Sequence, residues 1–188
     1  MDKQKAENAV KELLLALDQD VNREGLKGTP RRVAEMFIAQ INGSSYDGQW
    51  LRVFEEEKFD ELVLVRDVPF VSVCEHHMVF YSGRAHVGYI ARKKLLGLSK
   101  LARLVYECSR GFTVQERVTS EVADKLYEAI DPLGCMVVLE ASHGCMSLRG
   151  ARATGSSTVT SAVRGVFRDV SAARSEFMSL ITCGGMRR

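Results

Sequence analysis

Residues 62–77 read LVLVRDVPFVSVCEHH, and this short stretch carries two kinds of information. Its first part is rich in valine and other apolar residues, which predicts β-strands before Cys74. Its last part places the thiol of Cys74 close to two imidazoles, His76 and His77. We therefore expect the main body of the chain to be built on β-strands that end beside a group of metal-binding side chains.

The composition is that of an ordinary globular protein. The chain has 188 residues, of which 46% are apolar and 27% charged, enough for one domain with a small extra lobe. The 26 basic and 24 acidic residues leave a net charge of +2, so bulk charge gives no reason to expect nucleic acid binding. The five cysteines are odd in number and scattered along the chain, so we do not expect a disulfide framework. Because we find no signal peptide and no apolar run of membrane-spanning length, we expect a cytoplasmic protein without membrane association.

Two helices are predicted ahead of the β-rich part. Residues 4–17 carry apolar side chains at helical spacing. The pair Thr29-Pro30 is typical of an N-cap followed by proline at the first helical position, which predicts a second helix to about Ile41. The polar loop Asn42–Gly48 follows. It is a plausible boundary between two parts, an N-terminal helical arm at residues 1–48 and a main domain at residues 49–188.

The main domain groups paired strands around paired helices. The predicted elements are strands at 62–65, 70–73, 85–90 and 136–141, helices at 98–110, 114–130 and 167–181, and one or two strands between 148 and 163. Gly83 is interpreted as a break in the β pattern. The order β–β–α–α–β–β favours an α+β fold, in which an antiparallel sheet carries two helices on one face.

Cys74 and His77 are side chains of the type that zinc prefers. Residues i and i+3 of a regular strand point to opposite faces, so the two can share a metal only if the chain turns after Cys74. A second segment, His143-Gly144-Cys145, follows the predicted strand at 136–141 and supplies another thiol. The three ligands Cys74, His77 and Cys145 fit a catalytic zinc site, because a structural zinc normally has four protein ligands.

Two more histidines, His76 and His143, lie beside the candidate ligands without a ligand role. Histidine titrates near neutral pH, so both are candidates for proton transfer to and from a substrate. His86 lies within a predicted strand and is interpreted as an ordinary strand residue. The short spacings alone leave two explanations open, a zinc site and unrelated side chains.

Other polar residues have ordinary explanations when they are taken alone. Glu116 fits a surface glutamate in the first turn of a helix, where a negative charge is mildly favourable. Ser99 and Lys100 fit the capping of a helix N-terminus, and Arg32 fits a solvated charge.

Six short motifs, taken together, resemble the GTP cyclohydrolase I family. They are Cys74-Glu75-His76-His77, Gly97-Leu98-Ser99-Lys100-Leu101-Ala102-Arg103, Val114-Gln115-Glu116-Arg117, His143-Gly144-Cys145, Arg149-Gly150 and Thr29-Pro30-Arg31-Arg32-Val33-Ala34. The matches run in the family's order from about residue 24 to residue 181, so the resemblance covers nearly the whole chain.

The resemblance implies a tunnelling fold in a large homo-oligomer, a toroidal decamer with active sites at subunit interfaces. It implies that zinc-dependent hydrolysis opens the imidazole ring of GTP, releases formate and gives 7,8-dihydroneopterin triphosphate. The implied zinc ligands are Cys74, His77 and Cys145, and the implied acid/base residues are His76 and His143. The implied substrate-binding residues are Glu116 and Gln115 for guanine, and Leu98, Ser99, Lys100, Arg103, Arg149 and Arg32 for the rest of GTP, mainly its triphosphate.

One departure from the family pattern and two rival functions remain open. Glu35 stands where a basic residue is common in the family, so it either weakens triphosphate binding or pairs with Arg31 or Arg32 along the helix. The first rival is an enzyme of the same fold that stops at a different product. The second is an interaction subunit without catalysis that zinc holds together, which would need none of His76, His143 and Glu116.

Overall fold

The computed structural model describes residues 1–42, 53–55 and 59–183. The chain separates into two compact units, Met1–Ser45 and Tyr46–Arg188. The predicted boundary between residues 48 and 49, with the loop before it, lies outside the described residues.

The first unit contains two helices, α1 (Lys3–Ala16) and α2 (Thr29–Asn42), close to the predicted bounds. The side chain of Asp2 caps α1 by accepting a hydrogen bond from the backbone N–H of Lys5 at 2.9 Å. This contact satisfies one of the N–H groups that a helix N-terminus leaves unpaired.

Glu35 of α2 is paired with two cations of its own unit. Its carboxylate accepts a hydrogen bond from Lys3 Nζ at 2.7 Å and lies 3.3 Å from Arg31 NH1, one helical turn earlier. The Lys3 hydrogen bond is the main cause that lowers the pKa of the Glu35 carboxyl. The pairing with Arg31 along the helix is therefore present.

The second unit combines a sheet with helices on both of its faces. Its elements are β1 (Val53–Glu55), β2 (Leu62–Cys74), β3 (Phe80–Ile90), β4 (Lys94–Leu96), α3 (Leu98–Cys108), β5 (Phe112–Thr113), α4 (Gln115–Ile130), β6 (Gly134–His143), α5 (Gly144–Ser147), β7 (Thr158–Gly165), α6 (Val166–Asp169) and α7 (Ser171–Thr182). The main sheet has the strand order β5-β2-β3-β6-β7, and β1 pairs with β4 separately.

The fold is α+β, but the main sheet is mixed rather than purely antiparallel. The pairs β2–β3, β3–β6 and β6–β7 are antiparallel, whereas the short strand β5 runs parallel to the end of β2, at Val73 and Cys74. The two predicted apolar runs within β2 form one strand with a bulge between Val65 and Val68. The very short strands β1, β4 and β5 were not predicted, because two or three residues carry no readable alternation.

The two faces of the sheet are covered by different helices. Alternate residues of β6, such as Val137 and Leu139, pack with buried residues of α3 and α4, whereas Met136 and Val138 pack with Phe167 and other residues of α6 and α7. The predicted pair of helices on one face is thus accompanied by a second layer. Burying a valine, leucine, methionine or phenylalanine side chain removes apolar surface from water and stabilises the fold by about 1.5–3 kcal/mol.

The C-terminal part differs from the prediction in two places. The region between 148 and 163 contributes one strand, β7, preceded by turns. The helix predicted at 167–181 is two helices, α6 and α7, separated at Val170, whose backbone is extended with φ −107° and ψ 106°. No helix in the described ranges is long and apolar enough to cross a membrane.

Gly83 does not break a strand, and this corrects the prediction. It lies inside β3, opposite Phe70 of β2 and Ala141 of β6. A Cβ atom at this position would lie only 1.9 Å from the backbone oxygen of Glu140. The glycine is needed because β3 and β6 approach each other too closely for a side chain.

Replacing Gly83 by alanine is expected to lower the free energy of unfolding by about 3 kcal/mol, because the added methyl group must push β6 away from β3. The measurement is urea unfolding followed by circular dichroism. Ser82→Ala is the matched control, since Ser82 is the exposed neighbour on β3 and its loss is expected to change stability by less than about 0.5 kcal/mol. Equal midpoints for both variants would contradict the close approach.

Candidate active site

The three candidate metal ligands lie together at one end of the sheet. Cys74 is the last residue of β2, and residues 75–77 form a turn. The backbone N–H of Met78 donates to the oxygen of Cys74 at 2.9 Å, and Met78 has a positive φ of 56°. The turn removes the strand geometry that would hold Cys74 and His77 on opposite faces.

Cys145 reaches the same place from the other side of β3. Strand β6 ends at His143, which pairs with Tyr81 of β3, and α5 begins at Gly144. A Cβ on Gly144 would lie 2.4 Å from Val79 Cγ1, so a glycine lets α5 pack against the turn that follows Cys74. The candidate ligand atoms of Cys74, His77 and Cys145 all lie within 4.8 Å of one another.

This donor set fits a zinc ion. Two sulfur atoms bound to one tetrahedral zinc lie about 3.8 Å apart, since each Zn–S bond is about 2.3 Å long, so a small contraction of the observed group would complete the site. Burial raises the pKa of the Cys145 thiol, and the neighbouring Cys74 raises it further. A divalent cation would offset that effect, because a coordinating thiol is deprotonated.

The two remaining histidines lie beside these ligands. His76 is exposed in the turn, and its Nδ1 is 3.7 Å from Cys74 Sγ. His143 is half-buried, and its ring stacks on Tyr81 with a centroid distance of 4.5 Å. Burial lowers the pKa of His143, while the negative charge of Glu116 acts in the opposite direction. Both histidines therefore lie close to the candidate metal ligands and line the same cleft.

A cleft of about 200 Å³ opens on this group. Its lining consists of Cys74, His76, Tyr81, Thr113, Val114, Gln115, Glu116, His143, Cys145, Met146 and Thr158. Glu116 is exposed in the first turn of α4, whereas the side chain of Gln115 is fully buried. The structure thus brings Glu116 into the same cleft as the two thiols and the two histidines.

The residues predicted to hold the triphosphate lie elsewhere. Leu98, Ser99, Lys100 and Arg103 belong to α3, and Arg149 is exposed in the turn after α5; none of these described residues lines the cleft. Arg32 belongs to the first unit, where its guanidinium donates to Thr29 Oγ1 at 3.0 Å.

Tyr81, Thr113 and the pair Glu75–Arg117 were not singled out in the sequence. The hydroxyl groups of Tyr81 and Thr113 lie 2.6 Å apart. Arg117 donates to the carboxylate of Glu75 and so joins the turn after Cys74 to the first turn of α4. Only the antiparallel register that sets Tyr81 opposite His143 would have pointed to Tyr81.

The class of protein follows from what surrounds the three ligands. A catalytic metal site keeps one coordination position open for water or substrate, and groups for proton transfer stand near it. Here two histidines and a carboxylate share the cleft with Cys74 and Cys145, two of the three candidate ligands, as in metal-dependent hydrolases rather than in interaction modules that zinc only holds together.

Comparison with known proteins makes this class specific. The model of the family described as GTP cyclohydrolase I matches residues 6–182, and the chain belongs to that family. It is 48% identical to GTP cyclohydrolase 1 of Caldanaerobacter subterraneus subsp. tengcongensis, over 96% of this chain and 97% of that protein. The Bacillus subtilis enzyme of the same name is 48% identical, over 96% of each chain.

A third relative agrees with these two. GTP cyclohydrolase 1 of Geobacillus kaustophilus is 51% identical, over 93% of this chain and 94% of that protein. The prediction that the chain is a GTP cyclohydrolase I is confirmed by these matches, which extend over nearly its whole length. An interaction subunit without catalysis is not supported by them.

Proposed function

We propose that the cleft converts GTP to 7,8-dihydroneopterin triphosphate and formate, with Zn²⁺ held by Cys74, His77 and Cys145. The observation that carries this proposal is the grouping of the three ligand atoms within 4.8 Å of one another, in a chain of the GTP cyclohydrolase I family. The reaction is the first step in making tetrahydrofolate and related pterins. The cytoplasm suits this role, because Cys74 and Cys145 bind metal only as reduced thiols.

The two histidines of the cleft would carry out the proton transfers of this reaction. A zinc ion with three protein ligands supplies nucleophilic chemistry at neutral pH by acidifying water. His76 and His143 would then act as acid and base. Opening the imidazole ring of guanine requires protonation of a ring nitrogen and removal of a proton from the attacking water. Their separate positions, one exposed and one half-buried, suit two different proton transfers.

Glu116 would recognise the guanine base. A carboxylate accepts two parallel hydrogen bonds from the N1–H and the exocyclic amine of guanine. Glu116 is exposed in the cleft at the N-terminus of α4, and Arg117 beside it is tied to the metal-binding turn through Glu75. The Arg117–Glu75 contact supports a fixed distance between the carboxylate of Glu116 and the proposed metal ligands.

The triphosphate would bind to the residues of α3, to Arg149 and to Arg32. The N-terminus of α3 has no side-chain cap, so its backbone N–H groups are suited to an anion. Lys100, Arg103 and Arg149 add positive charge, and Ser99 adds a hydroxyl group. Leu98, at the first position of α3, would contribute apolar contact beside the base.

The separation of these residues from the cleft supports an oligomer. Because the α3 residues and Arg149 do not line the cleft of their own chain, we propose that neighbouring subunits complete each active site. The proposed assembly is a homodecamer of tunnelling-fold domains, with residues 49–188 as the catalytic domain and residues 1–48 as a helical arm.

The direct test is to incubate the purified protein with GTP and to identify the product by mass spectrometry, with formate measured alongside. One formate for each 7,8-dihydroneopterin triphosphate is the expected result. A formamidopyrimidine, which keeps the formyl group and therefore appears without formate, or formate together with another pterin, would identify the rival enzyme of the same fold. Bound zinc without formate release would refute the proposal.

Replacing Glu116 by glutamine is expected to lower kcat/KM for GTP by about 10- to 200-fold, because one hydrogen bond between charged and polar groups, worth about 1.5–3 kcal/mol, is lost. Inosine triphosphate lacks the exocyclic amine and is the matched substrate. Its kcat/KM is expected to fall much less. Equal losses with both nucleotides would remove Glu116 from base recognition.

A further inference from the structure

The amide of Gln115 has a fixed orientation. Gln115 is 1% exposed. Its Nε2 donates to the backbone oxygens of Leu139 at 3.1 Å and Thr158 at 2.9 Å, and lies 3.1 Å from Thr160 Oγ1. A carbonyl oxygen can only accept a hydrogen bond, and an amide nitrogen has two hydrogens to donate. The nitrogen must therefore face β6 and the start of β7, with the oxygen on the other side.

That oxygen meets the ring of His143. Gln115 Oε1 lies 2.7 Å from His143 Nε2. Because Oε1 can only accept, Nε2 of His143 must carry the hydrogen in this contact. The other ring nitrogen, Nδ1, is then the atom through which His143 can exchange a proton with a substrate.

The plane of the same ring is fixed by Tyr81. The two rings are stacked, with an interplanar angle of 9° and a centroid distance of 4.5 Å. Tyr81 is 1% exposed, and its hydroxyl is 2.6 Å from that of Thr113, which in turn is 2.6 Å from the hydroxyl of Ser72. The stacking partner is therefore itself anchored in the sheet.

We infer that Gln115 and Tyr81 are positioning residues, which set the orientation and the tautomer of His143. This inference rests on the acid/base role proposed for His143, and it assigns Gln115 a different part from reading guanine. A side chain whose Nε2 hydrogens go to two backbone oxygens has no donor left for the base. Its Oε1 is bonded to His143 and the side chain is buried, so we assign the recognition of guanine to Glu116, which is exposed in the cleft.

Kinetics separate positioning from base recognition. Gln115→Met keeps the length of the side chain but removes both of its hydrogen-bonding groups. A positioning role predicts that kcat falls about 10- to 100-fold, as for other residues that orient an active-site histidine, while KM for GTP changes less than about twofold. A raised KM with an unchanged kcat would overturn the inference, because it would show the loss of ordinary substrate binding. Gln19→Met is the matched control, since Gln19 is exposed in the first unit, and it is expected to leave both constants unchanged.

Tyr81 is tested by a pair of variants. Tyr81→Phe retains the ring that stacks on His143, whereas Tyr81→Leu removes it. A positioning role predicts that the leucine variant loses at least about tenfold more kcat than the phenylalanine variant. Equal losses would overturn the assignment of the stacked ring.

Nitrogen NMR of ¹⁵N-histidine-labelled protein tests the tautomer without any reaction. The chain has 4 histidines, and the signal that disappears in His143→Asn identifies His143. The expected wild-type spectrum shows hydrogen on Nε2, and Gln115→Met is expected to yield a mixture of tautomers. Hydrogen on Nδ1 in the wild type would overturn the inference even if the protein released formate. The expected spectrum without formate release would instead refute the proposed function alone.

Discussion

Replacing Cys145 by alanine is expected to remove the bound zinc and to lower formate release from GTP by more than about a thousandfold. The remaining candidate ligands are Cys74 at the end of β2 and His77 in the turn that follows it, and we expect two protein ligands to hold zinc far more weakly than three. A thousandfold loss corresponds to about 4 kcal/mol of transition-state stabilisation, which is within the range that a metal ion supplies.

The measurement is zinc per chain by mass spectrometry, together with a formate assay on the same preparation. Cys183→Ala is the matched control, because Cys183 is an exposed thiol at the end of α7. The control is expected to keep about one zinc per chain and full activity. Zinc bound at the wild-type level in Cys145→Ala would contradict the assignment of Cys145 as a ligand.

Replacing His76 by alanine is expected to lower kcat by about a hundred- to ten-thousandfold while zinc stays bound, because a general acid or base contributes a factor of this size. The two histidines must be tested separately, because the imidazoles of His76 and His77 both lie near the thiols. His76 Nδ1 is 3.7 Å from Cys74 Sγ, whereas His77 lies within 4.8 Å of both thiols.

His77→Ala is the paired variant and is expected to lose zinc. Zinc analysis and kcat measured for both variants decide between the two roles. Loss of zinc in His76→Ala with retention in His77→Ala would show that ligand and acid/base residue had been exchanged.

The long periodic elements could be predicted from the sequence, and the short ones could not. Apolar spacing predicts α3 and α4 because each has enough turns to present a consistent face. Strand β5 has two residues and is defined by its pairing with the end of β2, so local composition holds no sign of it. Gly83 was misinterpreted for a related reason. A single sequence does not distinguish a glycine that ends a strand from a glycine that allows the backbone of a neighbouring strand to approach closely.

The candidate site could be predicted from the sequence where chemistry alone marks a residue. Thiols and imidazoles at close spacing indicate a metal, which drew attention to Cys74, His77 and Cys145. Gln115 and Tyr81 could not be assigned in this way, because what they do depends on contacts with His143, which is distant from both in sequence. The Glu75–Arg117 pair is likewise a contact between a turn and a helix that only the fold brings together.

The positions of the two thiols have a consequence for the stability of the whole second unit. Cys74 ends β2 and Cys145 begins α5 after β6, and β3 lies between these two strands. An ion held by both thiols would act as a cross-link across three strands and would close a long loop of chain. Its binding free energy would add to the free energy of unfolding. The free energy of unfolding would then rise with the logarithm of the free zinc concentration. The lifetime of the protein in a cell would depend on the zinc supply as well as on the sequence.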